Sequence, residues 1–120
     1  VSATKGYREG VQTITASASM NLDLSLGNIF NITLTGTGIN FTFTNGPSSG
    51  TACYITVILT QDGVGSRTCN FFGPTTSYPA KWTDGVAPVL TTTLNKTDML
   101  GFLTVDGTIF YGSFAGANFG

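Results

Sequence analysis

The segment from Asn21 to Asn45, NLDLSLGNIFNITLTGTGINFTFTN, alternates apolar and small polar residues with few interruptions. Leu22, Leu24 and Leu26 take turns with Asn21, Asp23 and Ser25. Phe30, Ile32 and Leu34 do so with Asn31, Thr33 and Thr35, and Ile39, Phe41 and Phe43 with Asn40, Thr42 and Thr44. Successive side chains of an extended chain point to opposite faces, so a period of two predicts strands with one buried and one open face. Gly27-Asn28 and Gly36-Thr37-Gly38 punctuate these runs, with glycine supplying positive φ where a turn requires it. The expectation is a meander of antiparallel strands. The fold class predicted is all-β, an antiparallel sandwich or jelly-roll-like barrel of about 8–10 short strands.

The rest of the chain fits that class. Residues 1–10 show no period and hold three of the eleven charges, which reads as an arm or linker; residues 11–120 read as a single all-β domain, as the length of 120 suggests. In the segment Cys53–Gln61, Ile55, Val57 and Leu59 point one way and Tyr54 and Ile58 the other. A strand apolar on both sides is covered on both, either as a central strand or against another subunit. Gly73–Pro88 is a long irregular stretch around a short strand at Lys81 and Trp82. PVLTTTLN reads as a threonine-rich strand, followed by a hairpin turning at Asp106-Gly107. That turn sets Phe102 opposite Tyr111, Leu103 opposite Phe110 and Gly101 opposite Gly112, the glycine pair leaving room for an aromatic ring or another backbone. On this register Tyr54, Ile58, Leu103 and Phe110 form an apolar patch of the kind monomers seldom expose, and we expect it to be an oligomer face.

The chemistry of catalysis is sparse. No histidine is present, which removes the usual Ser-His-Asp and Cys-His activation, and two cysteines without histidine make no zinc set. The carboxylates Glu9, Asp23, Asp62, Asp84, Asp98 and Asp106 fall beside expected turns or on polar strand faces, so solvated side chains are expected rather than an acid–base pair. The chain is read as a non-enzyme with no catalytic residue, no metal site and no cofactor. Cys53 and Cys69 flank an expected hairpin loop at QDGVGS, which would offset them by about 16 Å along the strands. A disulfide requires Cα atoms within about 7 Å, so two free, buried thiols are expected.

Charge excludes further partners. Only 9% of residues are charged, against about 25% in an average domain, and the net charge is −1. No basic run could neutralise a phosphate backbone, so no nucleic acid is expected, and no amphipathic or spanning segment points to membrane insertion. A surface of Thr, Ser, Asn and Gly repels copies of itself weakly, which favours homo-oligomers. Tyr78 and Trp82, beside Lys81 and Asp84, combine aromatic rings with hydrogen-bonding groups and are the candidate binding residues for a sugar or partner surface; Trp82 also reads as a plug closing one end of the fold. The triplets at Asn31, Asn40 and Asn95 match the N-glycosylation pattern and are expected by chance in a chain this rich in Asn and Thr.

The order of segments resembles a module found at the C-terminal end of bacteriophage tail-fibre proteins. The segments are MNLDLSLGNIFNITLTG, FTFTN, ITVILTQDGVGSRT, KWTDGVAPVLTTTLNKTDMLGFLTVDG and FYGSFAGANFG, which together cover nearly all of the chain beyond the first ten or so residues. The resemblance implies an all-β virion component, a homotrimer that contacts other virion proteins and binds a host-surface receptor or glycan without catalysis. Trp82, Gly85, Pro88, Asp98, Asp106 and Gly107 then correspond to turns and strand ends. The stretch NFFGPTTSYPA is longer than such modules usually carry, and an enlarged loop is where recognition of a particular host could reside. Two other functions fit the same composition: a capsid decoration or cement protein, and a carbohydrate-binding module.

Overall fold

A computed structural model describes residues 8–120. The expected arm at residues 1–10 therefore lies mostly outside the described residues. The described residues form nine strands: β1 Val11–Ala16, β2 Met20–Asp23, β3 Ile29–Leu34, β4 Ile39–Thr44, β5 Cys53–Gln61, β6 Cys69–Phe72, β7 Lys81–Trp82, β8 Thr97–Thr104 and β9 Tyr111–Phe119. The only helical element among them is one turn of 3-10 type, Thr83–Gly85. The protein is all-β, with mixed sheets.

The meander is not what forms. From β1 to β7 consecutive strands alternate between a six-stranded sheet, in the order β1-β3-β5-β8-β9-β7, and a three-stranded sheet, β2-β4-β6. Within each sheet the early strands pair in parallel, β1 with β3, β3 with β5, β2 with β4 and β4 with β6. Antiparallel pairing is confined to β5 with β8 and β8 with β9. The chain thus winds as stacked coils, each with one strand in either sheet. The turn signals at Gly27-Asn28 and Gly36-Thr37-Gly38 are real, but they mark corners between sheets, whereas Asp106-Gly107 does join two antiparallel strands of one sheet, β8 and β9.

Close stacking of the corners explains their composition. Thr35 donates its backbone N–H to the Ala16 carbonyl at 2.9 Å, and Gly38 donates to the Thr68 hydroxyl at 2.9 Å, so each corner rests on the coil beside it. A Cβ on Gly36 would lie 2.3 Å from the Ser17 carbonyl oxygen, so only glycine permits this approach. Alternation alone cannot distinguish a corner from a hairpin, because both leave one face of each strand buried.

The inner faces of the two sheets share one core. Phe30, Ile32, Leu34, Ile55, Val57, Leu59 and Leu100 come from the larger sheet, and Leu22, Ile39, Phe41 and Phe43 from the smaller. Phe43 lies at the junction, with its ring centroid 5.0 Å from Phe102 and 4.6 Å from Phe110. Phe71 stacks on Phe41 at 5.4 Å and meets Phe102 at 5.0 Å. Offset and edge-on ring pairs of this kind add about 0.5–1.5 kcal/mol each beyond the area they bury.

Three further expectations are corrected. Residues 88–95, read as a strand, are irregular, because side chains and loop backbone capture their backbone groups. Thr91 donates its N–H to Asp98, the Thr91 carbonyl accepts from the Gln61 amide, and the Thr92 carbonyl accepts from Ser66 N–H. Asp98 is not a solvated turn residue. It is buried, accepting from Thr91 N–H at 2.6 Å and Asn118 N–H at 2.9 Å, and so ties this segment to the end of β9. Cys53 and Cys69 are free, as expected, but half-buried and not in a shared hairpin: they open β5 and β6 in different sheets. Burial, with Asp98 secondary, pushes the Cys69 thiol up to about 12 and leaves it protonated.

Candidate functional site

At one end of the fold the chain passes from the smaller sheet to the edge of the larger. After β6 it turns tightly. Gly73 N–H donates to the Tyr78 carbonyl and Tyr78 N–H to the Thr75 carbonyl at 3.1 Å. Pro79 bridges to Phe72, Ala80 N–H donates to the Phe71 carbonyl, and Lys81 N–H donates to the Phe110 carbonyl at 2.8 Å. The short β7 then pairs in parallel with β9, Lys81 beside Tyr111 and Trp82 beside Gly112. A strand of two residues at a sheet edge exposes little unpaired backbone.

Trp82 closes this end. Its ring is half-buried, meets Phe102 edge-on at 5.3 Å and covers Gly112, where a Cβ would lie 2.3 Å from Trp82 Cζ3. The gap foreseen at a glycine is therefore filled by an aromatic ring from the same chain, and the plug reading of Trp82 holds. The exposed edge of that plug borders a cleft of about 580 Å³ shared by Tyr78, Lys81, Trp82, Thr108 and Ile109. Tyr78 is half exposed, and Lys81 is exposed. Trp82 also lines a second cavity of about 320 Å³ with Cys69, Phe71, Pro88 and Leu90.

Three of the four candidate binding residues are thus brought together, and the fourth is not. Asp84 stands in the 3-10 turn with φ of 57° and does not line the cleft. Thr108 and Ile109 were not foreseen, because the connection that carries them is longer than the two-residue turn expected. Asp106 Oδ1 accepts from Thr108 N–H at 2.8 Å and Ile109 N–H at 2.9 Å, while the Thr104 hydroxyl accepts from Gly107 N–H at 2.9 Å. The bonds from Ile109 first and then Thr108 hold the Asp106 carboxyl below its ordinary range.

The longer turn also corrects the oligomer face. β9 starts at Tyr111, so Leu103 pairs with Tyr111, Phe102 with Gly112 and Gly101 with Ser113. A slip of one residue exchanges the two faces of a strand. Phe110 is accordingly buried at 1% exposure against Phe43, and Tyr111 takes the outer position expected for it. Tyr54 and Ile58 do lie on the outer face, paired with Leu103 and Met99. Ile29 and Met99, not foreseen, extend the patch; their alternation with Phe30 and Leu100 is the signal that could have found them.

Among the described residues no group of His, Cys, Asp and Glu side chains is placed to hold a metal ion, and no helix is long and apolar enough to cross a membrane. The single ion pair among them, Asp62 with Arg67 at 2.9 Å, braces the crossing from β5 to β6 and is remote in sequence from the cleft. In comparisons with models of known protein families, with curated proteins and with solved structures, none matches the chain.

Proposed function

We propose that this chain is a non-enzymatic structural protein of a bacteriophage virion, a distal tail-fibre or spike module that assembles as a homotrimer and binds a host-surface glycan. One observation carries the reading. The only charged residue in β1, β3, β5 and β8 is Asp98, which faces the core, so the whole outer face of those strands is without charge. Tyr54 is 73% exposed there, among Ile29, Ile58, Met99 and Leu103. An uncharged, partly apolar sheet face suits burial against identical or related subunits.

The fold proposed for this role is a two-layer sandwich, supported by the rings that interdigitate between the sheets. The parallel coils weigh against a jelly-roll-like barrel, whose strands pair antiparallel. The Tyr78 cleft, at the β7 edge of the larger sheet, is the receptor-binding candidate. A capsid decoration protein would use the same face against other virion proteins and would leave the cleft empty.

The test is retention of the purified chain on immobilised bacterial envelope polysaccharide, with Tyr78→Ala as the comparison. Retention of the wild type and its loss in the variant are expected. A chain that passes unretained across envelopes from many bacteria would remove receptor binding and favour the decoration role.

A further inference from the structure

We infer that the cleft beside Lys81 takes a sugar carrying a carboxylate, such as a hexuronate residue of a polysaccharide, in preference to a neutral sugar. The inference rests on the glycan-binding reading of this cleft. Lys81 is the one charged residue that lines it. The other cations of the folded domain beyond its first residues are engaged: Arg67 pairs with Asp62, and Lys96 Nζ donates to the Gly120 carbonyl at 3.2 Å. The Lys81 ammonium has no partner among the described side chains. No carboxylate lines the cleft, since Asp84 and Asp106 both stand outside its lining. A chain of net charge −1 thus presents a locally positive cleft.

An ammonium offers three N–H donors and no acceptor, so an anionic oxygen is its best partner, and the bond is charge-assisted. One cation matches a monoanionic carboxylate. A phosphate, at about −1.5 to −2, would leave charge unbalanced in a site with no second cation. The remaining lining suits a pyranose. The half-exposed Tyr78 ring offers a surface for the C–H face of the sugar, and the Thr108 hydroxyl can meet a hydroxyl on its rim. Trp82, seated on Gly112, forms a wall whose position is fixed before any ligand arrives. The volume of about 580 Å³ lies within the rough range of 300–1,000 Å³ for small-molecule sites.

The experiment is a ligand-observed NMR titration of the full chain with a galacturonate disaccharide and with its neutral galactose counterpart. At low salt the acid should bind about three- to ten-fold more tightly, the scale of one partly solvated charge-assisted bond. The gap should close at about 0.5 M salt, where the screening length falls to a few ångströms. It should also close in Lys81→Gln, with neutral binding retained, persist in Lys81→Arg, and disappear with all binding in Tyr78→Ala. Equal affinities for the two sugars would overturn the acid preference while leaving the glycan reading intact. Binding of neither would overturn both. A preference surviving in Lys81→Gln would place the anion elsewhere and overturn the assignment to this cleft.

Discussion

On the outer face of the three-stranded sheet stand Asn21, Asp23, Asn40, Thr42 and Asn70, with Phe72 at the margin; on that of the six-stranded sheet stand Ile29, Tyr54, Ile58, Met99, Leu103 and Tyr111 among threonines. Both sheets bury the same kind of inner face, and the difference lies entirely in what alternates with it. The smaller sheet is dressed for water and satisfies itself locally. Asn70 donates its side-chain amide to Asn40, and Asp23 Oδ1 accepts from the Ser25 hydroxyl at 2.6 Å and the Asn45 amide at 2.9 Å. Those two bonds, with the Ser25 N–H, hold the Asp23 carboxyl below its ordinary range. Apart from Lys81 in the edge strand β7, the larger sheet offers wide apolar surface and no outward charge to keep copies apart. The comparison teaches that inward alternation defines the fold, while outward composition says which face is finished and which awaits a partner.

The largest effect tests what the two regions share. Phe43 contacts rings from both sheets, so Phe43→Ala should cost about 3–5 kcal/mol and lower the stability of the sheets together, seen as one chemical-denaturation transition moved to lower denaturant. Two separated transitions would mean that the sheets are independent units and that the comparison concerns two domains.

The next effect divides them. A charge at Ile58 would be buried unpaired in an assembly, so Ile58→Asp should raise the dissociation concentration by about a hundred-fold or more. Thr42→Asp, at the middle of the other outer face, should leave assembly unchanged and stability within about 0.5 kcal/mol. Sedimentation velocity on the two variants checks both outcomes. Equal loss in both would show that the mutated charge acts through net repulsion and not through the face.

The smallest effect concerns acid. Asp62 is held down to about 2, first by the Arg67 side chain and then by the Gly65 N–H. Its folded value lies below the unfolded value of about 3.9, so the stability it contributes is present above about pH 4 and fades as pH falls through about 2. Asp23 and Asp106 are shifted in the same direction. The thermal midpoint should therefore fall over that window. The uncharged face holds no carboxylate, so the mass of the assembly should stay constant until unfolding begins.

The sequence made the strands, their buried faces and much of the cleft legible, for a local reason. Alternation in INFTFT and CYITVILTQ is a property of neighbouring residues, and Tyr78, Lys81 and Trp82 lie within five positions of one another. Pairing was not legible, because it depends on contacts between residues far apart. The glycine at Gly36 is equally suited to a hairpin or to a corner pressed on Ser17, and only the stacked coil decides. The burial of Phe110 failed for a related reason. Asp106-Gly107 has the composition of a two-residue turn, but the Asp106 carboxylate captures two further N–H groups and lengthens the connection. Asp98 was misplaced because a carboxylate satisfied by two distant backbone donors leaves no mark in its own neighbourhood.

The most direct measurement is the solution mass of the purified wild-type chain by light scattering over a wide dilution series. The account predicts a particle of three times the 12.5 kDa chain mass that persists on dilution. A particle of a single chain mass at every concentration would contradict it, because the uncharged face would then stand open to water without a copy to cover it.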